Sequence, residues 1–592
     1  MNALAQSDRS MSHMALIKEV AGKLAVQHKQ IGAPFAQALL GHVADSELSS
    51  RPADDWAALA THLLGFMRER RAGQARVLVH KPESDGQGGE NLFTAISILT
   101  DDMPFLVDSV TMAVRAENLD IHTLLHPVLG VRRDVGGNLL GLGEGGAAES
   151  LMYLEIDRLA DASEVMRLQA AIELALTDVR AAVADWAAMR ERMLEIAAQL
   201  PRQPGMDTAS VGEAQEFLRW VAADNFTLLG YREYEVTTEG GDEVLRAIAH
   251  SGLGILRERE RSHAPRSLKS LVASGLPQSG APQTVILTKT NARATVHRAG
   301  YMDYIGVLRF DTKGKPVAEQ RFLGLFTSSA YTARPQEIPL VRQRVNAILE
   351  RSGLRRDSHL GKALRHILET MPRDELFQAS TEELAATAMG VLGLAERARP
   401  RLFLRADRYA RFYSCLIYLP RERFSEGVRE RLEHMLRDSL RGDRIDSQVL
   451  VDESPLARLY AVVRPRAGAH VQIDVAALEQ SVAALSRNWH DDLREVLIHR
   501  HGEEKGLAPG QPFWSAAAYR LHRGRRRRTG RRRCAAPRRS ARRRRRRDHA
   551  VSRRRQRRAA LQDHPLRRAG AAVRCAADAG KPRRAHQRRA PA

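Results

Sequence analysis

Apolar residues fall at helical spacing early in the chain. Trp56, Leu59, Leu63, Leu64 and Met67 step by three or four, so residues 1–74 read as a helical region, followed by a short strand over 75–80. After the loop PESDGQGGE the pattern changes. Residues 93–99 (FTAISIL) predict a strand, DDMP a turn, and 105–117 a helix with Phe105, Val110, Met112 and Val114 as its apolar positions. Two further strands are predicted over 121–131 and 150–156, joined by a glycine-rich connection. Val165, Leu168, Ile172, Leu176, Val179, Val183, Trp186, Met189, Met193, Ile196 and Leu200 then form one stripe, which predicts a single long helix. Asp161 and Glu164 have capping-box spacing at its start, and PRQPG at 201–205 ends it.

Residues 211–332 are expected to open with a short helix (GEAQEFLRWVAADN) and then to be rich in strands: FTLLGYREYEV, TVILTKT, ATVHR, YIGVLRFD and QRFLGLFTS, the last two joined by a TKGKP hairpin turn. Residues 333–398 return to helical spacing. Over 399–500 the earlier order recurs: RFYSCLIYL as a strand, a helix over 425–440 with Val428, Leu432, Met435 and Leu436, strands over 445–451 and 457–464, and a helix capped by Asp474 that carries Leu478, Val482, Leu485, Trp489, Leu493 and Leu497. The repeated β-α-β-β-α order predicts an α+β protein with like modules at 75–200 and 399–500. Between them lie a β-rich middle domain and a helical linker, and 501–519 forms a further linker. Each module is expected to cover one sheet face with two helices and to leave the other face free for docking or ligand contact.

Composition changes this picture only at the end of the chain. At 592 residues, with 43% hydrophobic and 28% charged side chains, the chain is too long for one core and too apolar to be wholly disordered. The formal charge of +23 would suggest an anionic partner if it were spread evenly. It is concentrated in residues 520–592, where 29 Arg and one Lys face only Asp548, Asp563 and Asp578. The remainder is net −4. The tail has almost no core-forming residues and is expected to be disordered, contacting nucleic acid only non-specifically by neutralising phosphates. Arg, Ala, Pro and Gly fill 52 of its 73 positions, and their codons are GC-rich, so a shifted reading frame is the favoured origin of the tail. Cys415, Cys534 and Cys575 are too few for a disulfide framework or a cysteine metal cage. No signal-like start or long apolar run appears, so a cytoplasmic protein without a membrane partner is expected.

Short motifs add little chemistry. Gly141, Gly143 and Gly146 match G-x-G-x-x-G, but a predicted strand follows them, so a hairpin connection is favoured over a dinucleotide site. His122 and His126 share one strand face without a third metal ligand nearby, and Asp101, Asp102 and Asp108 beside a helix start read as capping residues rather than an acid–base set.

The strings LTDDMPFLVDSVTMAV, HPVLGVRRD, EAQEFLRWVAADNFTLLGYREYE, SGLGILR, RAGYMDYIGVLRFD, EQRFLGLFTSSAY and RLFLRADRYARFYSCLIYLPRERF occur in that order. Together they resemble the N-terminal half of the large bacterial NAD-specific glutamate dehydrogenases. The resemblance implies tandem ferredoxin-like, ACT-type β-α-β-β-α-β modules for the two repeated units, self-association through their sheets, and an amino-acid effector at the turn after a module's first strand. That turn is Asp102, Pro104 and Phe105 here, with Phe where the usual Asp-x-Pro-Gly turn has glycine; an Asp-capped helix start with a structural proline is the competing reading. The intact family oxidises L-glutamate with NAD and water to 2-oxoglutarate, ammonia and NADH. The family's glycine-flanked lysine segment has no match here, so the resemblance assigns no catalytic, cofactor-binding or metal residue, and NAD is not expected to bind this chain. A regulatory and oligomerisation part is therefore expected. A free-standing ACT-type amino-acid regulator and a nucleic-acid-binding protein acting through its tail are the alternatives.

Overall fold

The computed structural model describes residues 2–81, 92–202, 208–257, 266–267, 284–394, 399–407, 409, 411–452, 454–466 and 473–487. The arginine-rich tail, the 501–519 linker and the expected helical positions Trp489, Leu493 and Leu497 lie outside the described residues. Four helices open the chain: α1 (Asn2–Gln27), α2 (Gly32–Leu40), α3 (Asp45–Leu48) and α4 (Ala53–Phe66). Trp56 is fully buried among them, and its indole N–H donates to the Leu48 carbonyl at 3.0 Å, so its burial leaves no orphan donor.

The first sheet comprises β1 (Arg76–His80), β2 (Phe93–Asp101), β3 (Ile121–Leu125), β4 (Val128–Arg133), β5 (Leu139–Leu142) and β6 (Ala147–Asp157), in the order β1-β2-β6-β4-β5 with β3 also on β6. The single strand expected over 121–131 is two, interrupted at His126 and Pro127, because proline has no N–H to give a ladder. Both halves still pair with β6. On one side, α5 (Leu106–Ala116) and α6 (Ala162–Ala184) pack Val110, Val114, Leu168 and Ile172 against Ile96, Ile98, Met152 and Leu154. On the other, Ala95, Leu99, Leu151 and Tyr153 are buried against α1–α4. The sheet face expected to be free is thus covered by the chain's own N-terminal helices, and β6 is buried along nearly its whole length.

The expected long helix breaks at Asp185, where α7 (Trp186–Gln199) begins. The Asp185 carboxylate accepts the Gly254 N–H at 2.7 Å and pairs with the Arg257 guanidinium, so it is held by the middle domain rather than by its own helix. Gly254 sits at φ +60 so close to the Leu229 carbonyl that a Cβ could not fit, which is a position only glycine fills without strain. Asp161 is the N-cap of α6 but makes no side-chain cap bond, so the capping box read from the sequence does not form.

The middle domain starts with α8 (Thr208–Trp220) and builds a second sheet from β7 (Phe226–Glu239), β8 (Asp242–Ala247), β9 (Leu253–Gly254), β10 (Arg266–Ser267), β11 (Val285–Arg293), β12 (Tyr301–Phe310) and β13 (Pro316–Phe326). Its order is β10-β8-β7-β13-β12-β11, with β9 on β7. The β12–β13 hairpin forms as expected, closed by the Asp311 N–H on the Lys315 carbonyl at 2.9 Å. The strand expected for ATVHR is instead a turn: the Ala294 N–H reaches the Gly300 carbonyl at 2.8 Å and the chain doubles back before β12. One sheet face buries Tyr231, Ile305 and Phe322 with α7 and α8, and the other shares a core with α5 and α6. The result is a stack of layers: N-terminal helices, first sheet, α5 and α6, second sheet, then a third helical layer.

That last layer holds α9 (Ser328–Thr332), α10 (Val341–Arg351), α11 (His359–Thr370), α12 (Arg373–Gln378) and α13 (Thr381–Leu392). Ser358 and Ser380 cap α11 and α13 through their hydroxyls. The final module contains β14 (Arg401–Ala406), β15 (Tyr413–Pro420), α14 (Glu426–Ser439), β16 (Gly442–Leu450), β17 (Leu456–Pro465) and α15 (Val475–Leu485), in the sheet order β14-β15-β17-β16. Asp474 caps α15 by accepting the Ala477 N–H at 3.0 Å, as its position predicts. The edge strand β14 has no counterpart in the order read from the sequence. It occupies the place that β1 holds in the first sheet, so both modules open with an edge strand ahead of the strand it pairs with; the second runs β-β-α-β-β-α, and the first has four strands, β3 to β6, between its two helices. Here too both faces are covered: Cys415, Ile417 and Leu419 pack on α14 and α15, while Leu416, Tyr418 and Tyr460 pack on Val391, Leu394 and Phe412.

Candidate functional site

Asp102 and Pro104 are exposed at the turn that follows β2, and Phe105 is half-buried. The Asp102 N–H donates to the Ala148 carbonyl at 3.0 Å, which fixes the turn to β6. Helix α5 starts at Leu106 with Phe105 as its N-cap at φ +72, and no side chain caps it; the Asp-capped start is therefore not what forms. Phe105 adopts the left-handed backbone that glycine would take there, at a steric cost of roughly 1–2 kcal/mol. Its ring lies 4.9 Å from the ring of His297, itself at φ +74 in the turn that replaced the ATVHR strand. Around this pair the same turn is bonded to both helices of the module. The His297 N–H donates to the Ser109 hydroxyl at 3.1 Å, Thr295 donates to the Asp178 carboxylate at 2.5 Å, and Val296 is fully buried. The turn singled out for an effector is a joint between the first module and the middle domain.

Beside the turn, Asp101 accepts from Arg70 at 2.7 Å, Arg180 at 2.6 Å and the Gly73 N–H at 3.1 Å. Glu149 is gripped by Arg133 at 2.6 and 2.8 Å and lies 2.9 Å from Arg70. Burial pushes both carboxyls up, but the guanidiniums outweigh it and hold them below the usual carboxylate range. Held below the usual carboxylate range and multiply bonded, these groups are structural ties rather than an acid and a base. His122 bonds Asp157 at 2.9 Å and His126 bonds Ser150 at 2.5 Å, and the two histidines do not converge on a metal position. Among the described residues no group of three or more His, Cys, Asp or Glu is placed to hold a metal ion.

Gly141–Gly146 spans the turn from β5 into β6, with Gly143 and Gly145 at positive φ. A strand follows where a dinucleotide fingerprint needs a helix N-terminus, so these residues do not fit NAD.

The most heavily charged interior lies where the middle domain meets the later helices. Lys289 on β11 bonds Asp303 on β12 at 2.7 Å and reaches Asp374 on α12 at 3.2 Å, and Tyr331 donates to Asp374 at 3.1 Å. Burial lowers the lysine's affinity for its proton, but the two carboxylates outweigh it and keep the ammonium charged. Burial, aided by Asp374, pushes the Asp303 carboxyl up despite Lys289. Thr288 on Asp407 at 2.7 Å, Arg411 on the Lys289 carbonyl at 2.9 Å and Arg464 on Asn291 at 2.9 Å tie the final module to the same strand.

Two clefts open on described residues. One, of about 690 Å³, lies among the N-terminal helices beside His13, Asp45 and Arg51. The other, of about 340 Å³, lies between α13 and β14 over the Glu375–Arg405 pair. Asp102, Pro104 and Phe105 line neither. Lys289, Asp303, Glu375 and Arg405 were not singled out in the sequence. Lys289, Asp303 and Arg405 are charged residues set in largely apolar stretches (VILTKT, YMDYIGV, LFLRA), and that pattern is the signal that could have found them; Glu375, directly after Arg373 and Asp374, carries no such signal.

Comparison with known proteins accords with this layout. The glutamate dehydrogenase ACT1 domain matches residues 35–172, helical motif 1 of glutamate dehydrogenase matches 338–397, and the glutamate dehydrogenase ACT2 domain matches 401–490. NAD-specific glutamate dehydrogenases are similar over most of this chain. That of Halomonas elongata is 36% identical over 79% of the chain, that of Pseudomonas aeruginosa 34% over 80%, and that of Mycobacterium tuberculosis 30% over 72%. The chain spans only about 30% of the length of the first two and 26% of the third. By the ACT1 domain, helical motif and ACT2 domain it carries in that order, and by these relatives, the chain is a partial member of the NAD-specific glutamate dehydrogenase family.

Proposed function

We propose that the chain is the regulatory and assembly part of a cytoplasmic NAD-linked glutamate dehydrogenase, the enzyme class that oxidises L-glutamate with NAD and water to 2-oxoglutarate, ammonia and NADH. The observation that carries this reading is the interlocking of its domains. The central strands of both ACT sheets are buried on both faces by other parts of the same chain, and charged groups such as Lys289, Asp374 and Arg464 bolt the domains to one another. Such a block is suited to hold other parts in register; Lys289, Asp303 and Asp374 at its centre bond one another instead of facing a substrate.

With the sheet faces covered, self-association falls to the sheet edges. The outer edge of β16 is the best candidate, because the strand is exposed along most of its length and Val449, Leu450 and Val451 stand out to solvent. Light scattering on the purified chain tests the assembly role: a defined oligomer is expected, reduced to monomer by Leu450→Lys. A monomeric wild type overturns that part of the reading. In parallel, glutamate-dependent NADH formation by the purified chain is expected to be absent, and clear turnover contradicts the assignment.

A further inference from the structure

We infer that the outward flank of α6 pairs antiparallel with the same flank of a second copy of this chain, about a two-fold axis through Ala170. Packing between the two sheets uses only part of this helix, whose Leu168, Ile172, Leu176 and Val179 are buried in the core. Met166, Arg167, Ala170, Glu173 and Leu174 are all exposed and recur at steps of three and four, so they lie along one flank.

Apolar residues exposed one at a time are ordinary on a protein surface, but the order of these is not. Across a two-fold axis each residue meets the one equally far along on the other side of the centre. Met166 then faces Leu174 of the second copy, and the two side chains are 66% and 49% exposed. Arg167 faces Glu173 of the second copy, so opposite charges meet at two symmetric points. At the next turn Ser163 faces Thr177, and both are exposed. The small Ala170 at the centre lets the two helices approach to about 8–10 Å between axes.

The charged pair is available for this contact. Arg167 gives Nε to Glu117 at 3.0 Å and its side chain remains 59% exposed, while Glu173 accepts from the Gln169 amide through Oε1 at 2.9 Å, which leaves Oε2 for an incoming guanidinium. A parallel pairing would set Arg167 beside Arg167 and Glu173 beside Glu173, so charge selects the antiparallel one. The inference rests on the assembly role proposed above and adds a second two-fold contact to the one at β16. A pair of helical flanks is small beside the roughly 1,200–2,000 Å² of a stable interface, so it closes only between chains already joined through β16. Two different two-fold contacts in one closed assembly give four chains.

Sedimentation velocity of the full chain is the test. The wild type should sediment as four chains. Ala170→Glu sets two carboxylates against each other on the axis and should give two chains, with no fall in the denaturation midpoint because position 170 is an exposed helical one. Glu173→Arg, which opposes Arg167 of the second copy with a like charge, should also give two chains, and the charge swap Arg167→Glu/Glu173→Arg should restore four, a rescue that simple misfolding would not show. Leu450→Lys should give single chains. A wild type of two chains that Leu450→Lys splits and Ala170→Glu leaves intact overturns this inference alone. Four chains persisting in Ala170→Glu overturn it as well, as does a charge swap that fails to restore assembly. A monomeric wild type overturns the assembly reading and this contact with it, so the two failures are told apart.

Discussion

Phe105 and His297 are the two halves of one joint: both hold positive φ, at +72 and +74, and their rings meet at 4.9 Å across the boundary between the first ACT module and the middle domain. Neither conformation is favourable for a residue with a Cβ, so packing across the boundary must offset both. The buried neighbour Val296 and the Thr295–Asp178 and His297–Ser109 hydrogen bonds provide that offset. In this chain the turn after the first core strand works as a hinge pin, filled by the chain itself.

Phe105→Gly separates the two contributions. Glycine relieves roughly 1–2 kcal/mol of left-handed strain, whereas deleting a phenyl ring costs about 3–5 kcal/mol in a full core and less at a half-buried position. The ring should win narrowly. A net destabilisation of about 1 kcal/mol is expected, read as a lower urea midpoint. A stabilised variant would show that the ring contact contributes little.

The same joint should be sensitive to mild acid. Burial holds His297 below its ordinary 6.5, against the opposing pull of Asp108 and with Arg298 adding to the effect, and burial likewise lowers His126 against Asp102. The unfolded chain therefore binds more protons at these sites, and the stability due to the neutral rings is complete above pH 6.5 and lost as pH falls through the folded values. Asp101, Glu149, Glu155 and Glu375 are also lowered, from 3.8 or 4.5, so their stabilisation is lost only at more acid pH. Between pH 6.5 and about 5 the urea midpoint should drop, and the double variant His126→Gln/His297→Asn should flatten that drop. An unchanged slope in the double variant would place the titration elsewhere.

Lys289→Met tests the charged interior. Removing the ammonium strands Asp303 and Asp374 in each other's field, and breaking a buried pair in this way costs about 3–5 kcal/mol. Adding Asp303→Asn should recover part of that loss, because the remaining carboxylate keeps the Tyr331 hydroxyl at 3.1 Å. Denaturation of the two single variants and the double variant gives the coupling directly; strictly additive losses would mean that the lysine and Asp303 act independently.

How far the fold could be read from the sequence depended on whether a signal was local. The helix of the second module capped by Asp474, the β12–β13 hairpin and the glycine turn at 141–146 were legible because a cap, a turn or a run of glycines is encoded within a few residues. The break at Asp185 was not, since the apolar stripe runs on through it and the cause, Gly254 and Arg257, lies about seventy residues away. β14 was missed because its burial is mixed, as befits an edge strand, and shows no clean alternation. The covered sheet faces were hidden for the same reason: which distant helix lies on Leu99 or Tyr460 is a tertiary fact. For the candidate site, the sequence pointed at Asp102, Pro104 and Phe105, whereas the buried charges converge at Lys289, Asp303 and Asp374, which three separate elements, β11, β12 and α12, bring together.

Glu375 carries the last prediction. It sits on α12 yet accepts from Arg405 on β14, Ser414 on β15 and Tyr460 on β17, so one carboxylate joins the helical layer to three strands of the ACT2 sheet. Burial pushes its carboxyl up, but Arg405 and the two hydroxyls outweigh it and keep it ionised. Glu375→Gln removes the charge that balances a guanidinium only 9% exposed, at a cost of about 3–5 kcal/mol, and the strain falls on β15 first. The adjacent Cys415 reports on that strand: it is fully buried on the opposite face, and burial raises its thiol pKa, so in the native chain it should react with iodoacetamide only through local opening. Faster alkylation of the Cys415 peptide in Glu375→Gln, followed by mass spectrometry under native conditions, is expected. Equal rates in the two proteins would mean that β15 is held by its apolar contacts alone and that the carboxylate does not anchor the sheet.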